Sequence, residues 1–540
     1  MSPRATALAL SLAAAILFVL LASVRIEAQG PQYDELHQAV GAFTWLGAPP
    51  PPVFCMAFHG VCVLNMPYSG AIKTNLYGAW LRLTGARFTL ASWRLSGILL
   101  IAAGIVLFCS LAGPALPPWA MAIFLALLLT DGTVLLAGRF DWGPVALSLT
   151  LRLALLGLWI GSEAEGAPSV RSSFGLGALV GFAAFEKLSA LVLVPPLAAM
   201  FLWNPRRRER RHLLAAVAGF TAGALPLAAV HLGALVFHGA PISLGGGPGV
   251  NRSPAGFLAF VRDYLALGQG GIVQGFVLGL GRLPWLELLE GAIAAAVCAI
   301  LTMMVVGRES QPSTRGAGIA LGGYGAVCLG LYFLPRPTWV HHWLLGTPFQ
   351  YVAVALALPA LLKMERRKTL GAALAALTAL WLATRLPGLV RTEQALAAGR
   401  ASPAWDPSLA EIGRFAAKRA EGSVFIASDW GVATQILAFS DGRPGLVHEP
   451  FWRYEGPEQL RTFEEESGAR VLYLVRLRDP QRTIPGALER IERDLLDDPR
   501  WREVPVEAEA AGLKRVLVRK LVLRSPSTSP GLLDTIRPIP

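Results

Sequence analysis

Two adjacent carboxylates, Asp34 and Glu35, stand just past the first membrane-length apolar run, Ala5 to Val24. Acids beside lipid are costly unless they are paired or do chemistry. An acidic pair at a membrane–water boundary suits removing a proton from a hydroxyl or holding a cation. The plain alternative is a solvated loop start. More titratable side chains fall between later apolar runs: Lys73, Arg139 and Asp141, Glu186 and Lys187, then Arg336, His341 and His342. One at a time, each reads as an interfacial charge reaching for water. Gathered on one face, such acids and bases can bind a lipid phosphate and deprotonate an acceptor together.

Whether they gather depends on the elements that carry them. The 540-residue chain is 54% hydrophobic and 16% charged, with a mean hydropathy of +0.50. Repeated apolar runs of about 20 residues make it a polytopic α-helical membrane protein. We expect about 11 transmembrane helices: 5–24, 91–111, 119–137, 143–160, 174–185, 188–203, 213–237, 285–306, 317–334, 343–362 and 370–386. The run 174–185 is too short to cross alone, so its helix should start near Val170 or dip only partway into the membrane. The net charge of +12 sits largely in Arg206–Arg211 and Lys363–Lys368. Both clusters lie between spans, so they read as cytoplasmic anchors on anionic lipid and exclude nucleic acid as the partner. The N-terminus is then inside, the acids and bases above share the opposite face, and the C-terminus is outside. A cleaved signal peptide is the rival reading of the first run, and retention as a signal anchor is preferred.

Past Pro387 the chain becomes charged, with short strands alternating with helices. The expected division is a membrane domain over 1–390 with a large outer loop at 25–90, a soluble α/β domain over 391–524, and a disordered Ser/Pro-rich tail over 525–540. Helices are expected at 409–420, 434–439, 457–467 and 485–496, and strands at 423–428, 471–475 and 516–523.

No P-loop, dinucleotide-type glycine motif, HExxH or CxxC is present, so nucleotide hydrolysis and zinc protease chemistry lose support. Gly245–Gly249 and Asp429-Trp430-Gly431 read as turns. Tyr264 lies in an amphipathic segment, 257–267, suited to the membrane surface. Cys109, Cys298 and Cys328 fall in apolar runs as small hydrophobes. Cys55 and Cys62 share the first outer loop, where a disulfide would suit an oxidising compartment. A metal site with His59 there lacks a fourth ligand.

The order of these motifs resembles the GT-C membrane glycosyltransferases, in the branch of protein O-mannosyltransferases and lipid A aminoarabinose transferases. The carrying residues are Asp34-Glu35 after the first span and Lys73-Thr74-Asn75-Leu76-Tyr77-Gly78-Ala79-Trp80. Ser92-Trp93-Arg94-Leu95 then enters the second span, and Arg139-Phe140-Asp141 precedes the fourth. Gly181 to Lys187 and His342-Trp343-Leu344-Leu345-Gly346-Thr347-Pro348 complete the series. Thr74-Asn75 replaces a Pro-Pro pair, and Glu186 and Leu188 replace the neighbours of the family's lysine. The match covers residues 1 to 390.

The resemblance implies sugar transfer from a polyprenyl-phosphate-linked donor to an extracytoplasmic lipid, glycan or protein, without a nucleotide cofactor, and the richness in Ala, Leu and Arg with short loops points to a bacterial inner membrane. On that reading Asp34 is the base, with Glu35 supporting it or binding metal. Asp141 orients the acceptor or shares a magnesium or manganese ion with Asp34. Lys73, Arg139, Lys187, His341 or His342 meets the charge of the departing phosphate, and Tyr77 and Glu186 complete the substrate-binding set. The rival classes are a transporter or flippase for a lipid-linked or anionic solute, and a non-catalytic subunit of an envelope assembly. Transporters usually show repeated halves with midplane sites, and neither is visible here.

Overall fold

The computed structural model describes residues 3–51, 54–164, 168–240, 242, 252–306, 312–334, 338–443 and 445–524. Gly245–Gly249, Arg336 and the 525–540 tail lie outside them. Helices dominate the chain as far as α17: α1 (Pro3–Ala22), α2 (Tyr33–Val40), α3 (Ile72–Thr84), α4 (Leu90–Ala112), α5 (Pro118–Leu129), α6 (Gly132–Phe140), α7 (Val145–Ala164), α8 (Val170–Glu186) and α9 (Val194–Trp203). They continue with α10 (Arg210–His238), α11 (Pro254–Leu265), α12 (Gly271–Leu278), α13 (Pro284–Val306), α14 (Pro312–Tyr332), α15 (Val340–Trp343), α16 (Phe349–Lys363) and α17 (Lys368–Ala397).

Every expected span is helical. Among the described residues seven helices are long and apolar enough to cross a membrane, and α5 with α6, bent by 62°, makes an eighth if counted as one span. Helix α8, the 188–203 segment and α14 are shorter or less apolar, so the count of eleven is not confirmed by length and hydropathy. The protein is nevertheless a multi-pass membrane protein.

Close packing fixes the site-bearing ends. On α8, Gly177 and Gly181 sit against the backbone of Ala216 and Phe220, and on α10, Gly219 and Gly223 sit against Phe174 and Ala178. A Cβ at any of the four would strike backbone, so the two parallel helices touch through paired small-xxx-small motifs. That contact sets where α8 ends, and with it Glu186 and Lys187.

Between α1 and α4 the chain forms a small cap. It contains α2, a three-stranded sheet of β1 (Met56–Phe58), β2 (Val61–Met66) and β3 (Ser69–Gly70), and α3. A disulfide joins Cys55 to Cys62.

The chain divides into two compact units at Pro407 and Ser408, later than the expected boundary at 390. Helix α17 runs unbroken through Pro387 to Ala397. The segment after it folds back on the first unit, where the Gly30 N–H donates to the Trp405 carbonyl at 2.8 Å. A change in composition at Pro387 therefore marks the middle of a helix, not the end of a domain.

The second unit contains α18 (Ser408–Lys418), β4 (Ser423–Ala427), α19 (Ala433–Phe439), β5 (Val447–His448), α20 (Pro457–Ser467), β6 (Val471–Leu477), α21 (Ala487–Leu496), β7 (Trp501–Val504), α22 (Ala508–Ala511) and β8 (Val516–Leu523). Its sheet has the order β5-β4-β6-β8-β7. β4 pairs in parallel with β5 and β6, whereas β8 runs antiparallel to β6 and β7. Apolar clusters cover both faces, as a mixed α/β layer requires.

Candidate active site

Asp34 occupies the first turn of α2, and that helix is held by its cap. The Gln32 side chain accepts from the N–H groups of Asp34 at 2.6 Å and Glu35 at 3.2 Å. Glu35 reaches back to the Gln32 N–H at 3.4 Å, closing a capping box. Burial holds the Asp34 carboxyl above the ordinary aspartate value, against the opposing pull of Lys187 and Gln32. A base raised in this way accepts a proton more readily than a solvated aspartate.

Glu35 has a different fate. Arg94, at the first turn of α4, donates Nε to its Oε1 at 2.6 Å and Nη2 to its Oε2 at 2.9 Å. The pair is fully buried. Arg94 also donates to the carbonyls of Ile26, Gln29 and Gly30 at 2.7–2.9 Å. Both oxygens of Glu35, expected to support the base or bind metal, are occupied in a fork that ties α2, α4 and the 26–30 segment together.

Arg139, expected at the departing phosphate, has both Nη atoms bonded to protein. Its Nη1 donates to the carbonyls of Ala22 and Val24, and its Nη2 to the Arg25 carbonyl and the Gln29 side chain, all at 2.6–3.0 Å. The buried guanidinium caps the end of α1 at Ala22 and ties down the turn that follows it.

The remaining residues converge. Asp141 closes α6 in the left-handed conformation, φ 48°. Its Oδ2 accepts from Lys73 Nζ at 2.6 Å and its Oδ1 from the Ala146 N–H at 2.8 Å. Lys73, in the first turn of α3, also lies 3.7 Å from the centre of the Trp93 ring. Glu186 ends α8, buried, with Oε2 lacking a hydrogen-bond partner, within the electrostatic reach of Asp141, Lys73 and Lys187. Lys187 is half-buried. Its Nζ lies 3.1 Å from His341 Nε2 and 3.4 Å from the Gly143 carbonyl. Burial lowers its pKa to about 8, although Asp34, Asp141 and Glu186 all raise it. His342 stacks on His341, ring centres 4.1 Å apart, and its Nδ1 accepts from the Trp339 N–H at 3.1 Å, which places its own proton on Nε2.

Tyr77 stands to the side, bonded to Ser92 Oγ at 2.6 Å. It lines a groove of about 360 Å³ between α3 and α4, together with Lys73, Leu76, Trp80, Leu95 and Leu99. Leu76, Trp80, Leu95 and Leu99 are exposed along it.

The residues present do not fit the divalent cation expected between Asp34 and Asp141. Among the described residues no three His, Cys, Asp or Glu side chains converge on a metal position. Asp141 has both oxygens bonded to donors, one of them the Lys73 ammonium, which leaves it no free oxygen for magnesium or manganese.

Three residues near the site were not expected. Gln38, one turn after Asp34, donates to the Asp141 carbonyl at 2.8 Å, and its own Oε1 is buried without a partner. His37 Nε2 donates to the Asn65 carbonyl at 3.0 Å, and burial lowers this imidazole to about 4, so it is neutral. Arg94 carried the one readable signal: an arginine inside the start of an apolar span needs a partner.

This architecture, with two short helices and an acid after the first span and basic residues at the ends of later ones, defines a GT-C-fold membrane protein. No protein-family model matches the sequence, and no curated protein does. Among solved structures, ArnT from Cupriavidus metallidurans with undecaprenyl phosphate bound is similar at a TM-score of 0.59 and 13% identity, over 93% of this chain and 96% of that one. The apo state of the same protein gives 0.57 and 13%, over 93% and 97%.

Proposed function

We propose that the protein transfers a sugar from a polyprenyl-phosphate carrier to a hydroxyl- or phosphate-bearing lipid, glycan or protein, on the extracytoplasmic face of a bacterial inner membrane. The observation that carries this reading is the gathering of acids and bases: Lys187 lies within electrostatic reach of Asp34, Asp141 and Glu186, and Lys73, paired with Asp141 at 2.6 Å, lines the exposed apolar groove. An ArnT structure holding undecaprenyl phosphate supports a carrier of that class.

In the reaction the acceptor oxygen attacks the anomeric carbon while Asp34 takes its proton. The bond from that carbon to the phosphate oxygen breaks, and the phosphate leaves with the electron pair. Lys187 meets the charge that develops, because its hydrogen bonds go to His341 and the Gly143 carbonyl and not to a carboxylate. Lys73, anchored by Asp141, orients the carrier headgroup where the apolar groove begins. Asp141, Gln38 and Glu186 hold the cations and the acceptor in register. A positioned base of this kind contributes roughly 10²–10⁴-fold, and fixed cations stabilise a leaving anion without reorganising.

The test is transfer of radiolabelled sugar from native polyprenyl-phosphate donors to a membrane extract, by protein in lipid nanodiscs. Transfer by the wild type is expected. Ser96→Trp, which fills the groove, should raise KM for the lipid donor. No transfer from donors that a control enzyme uses would overturn the reading.

A further inference from the structure

From Ala39 to Ile72 the sequence contains no Asp, Glu, Lys or Arg, in a chain that is 16% charged overall. A connecting segment this long normally runs over a water-facing surface and carries charge. The structure gives the uncharged stretch a shape. β1 and β2 form a hairpin with Phe58 opposite Val61 and Ala57 opposite Cys62, turned by His59 and Gly60, both at positive φ (47° and 79°). That is the two-residue primed turn that matches strand twist. The Cys55–Cys62 disulfide ties its base. Its tip is apolar and open: Phe58 is 68% exposed and Val61 38%.

The hairpin's root fixes its depth. Leu64 packs with Phe185 and Leu227, and Val63 and Val230 lie against that cluster. His231 Nε2 donates to the Pro67 carbonyl at 2.6 Å. On α10, Leu227 and His231 stand about 26 Å and about 32 Å along the axis from Arg210, at 1.5 Å per residue. The basic cluster beside Arg210 marks one membrane boundary, and the hydrocarbon core is about 30 Å thick. The hairpin is thus rooted at the opposite boundary. Exposed Leu232, Leu235, Val236 and Phe237 continue the apolar surface of α10 past that level.

We propose that the β1–β2 hairpin is a membrane-surface finger, its Phe58–Val61 tip seated among lipid headgroups and upper acyl carbons. Desolvating one phenylalanine and one valine in lipid is favourable, and with no charge in the segment nothing offsets it. The disulfide keeps the short hairpin ordered against the boundary, where an isolated two-stranded hairpin would be marginal.

The test reads position, not transfer, so it is independent of the catalytic proposal. A fluorescent amino acid is incorporated at Phe58, and separately at His59, in full-length protein in nanodiscs. Quenching is measured with lipids carrying a nitroxide at acyl carbon 5 and with aqueous iodide. Position Val217, on the exposed face of α10, serves as the lipid control, and Glu421, exposed in the second unit, as the aqueous one. Nitroxide quenching at Phe58 at least twice that at Glu421, with iodide quenching at most half, is expected. Iodide quenching equal to Glu421 with no nitroxide effect would overturn the proposal. So would protection from both quenchers, which would mean that protein covers the tip.

Discussion

Removing the Glu35 carboxylate should unfold the cap rather than merely silence it. Arg94 is completely buried and donates two of its hydrogen bonds to Glu35. Breaking a buried ion pair from one side costs about 3–5 kcal/mol, because the other charge stays desolvated. Three carbonyls still hold Arg94 in Glu35→Ala, so we expect the lower end, about 3 kcal/mol. Glu35→Gln keeps the shape and one acceptor, and should cost about 1–3 kcal/mol. Asp34→Asn should behave oppositely. A carboxyl raised on folding binds more protons folded than unfolded, so its ionisation opposes folding above the unfolded pKa, and a neutral isostere removes that cost. The assay is reversible unfolding in mixed micelles, with transfer measured per folded molecule. Glu35→Ala at wild-type stability, or Asp34→Asn as unstable as Glu35→Ala, would refute the division between a structural and a reacting carboxylate.

Other outcomes follow from the same contacts. Transfer should be bell-shaped in pH: the acid limb lies above the ordinary aspartate value as Asp34 gains a proton, and the alkaline limb lies near 8 as Lys187 loses one. Lys187→Arg should move only the alkaline limb, upward, and an unmoved limb would remove Lys187 from the reaction. Arg139→Ala should leave the last carbonyls of α1 without a donor and cost about 3 kcal/mol, read by unfolding, whereas a phosphate ligand would show in KM instead. Chelation by EDTA should leave transfer unchanged, because the residues present do not assemble a cation site. Gly181→Leu should separate α8 from α10, lowering both stability and transfer by moving Lys187.

The apolar runs made the helices legible, and the short run at 174–185 correctly required a start near Val170. Strand–helix alternation likewise exposed the second unit. Its edge strands were not readable, since β5 has two residues and β7, Trp501–Val504, alternates without an apolar face. In the candidate site the residue types were visible and their partners were not. Glu35 and Arg94 are 59 positions apart, and Arg139 finds its acceptors at the end of α1 and in the segment after it, more than a hundred positions away. Sequence position placed Glu35 beside the base and Arg139 beside the departing phosphate, and neither their salt bridge nor their backbone partners could be read from it. Pro387 misled because a proline inside a membrane helix is tolerated where neighbouring helices support the backbone.

The central claim is that Asp34 takes the acceptor proton during transfer from a polyprenyl-phosphate donor. Its most direct test is single-turnover transfer by wild type, Asp34→Asn and Asp34→Glu, with each shown to be folded and to bind the carrier lipid. We expect a loss of about 10²–10⁴-fold for Asp34→Asn, partial recovery for Asp34→Glu, and unchanged carrier binding in both. Transfer by Asp34→Asn at the wild-type rate would contradict it.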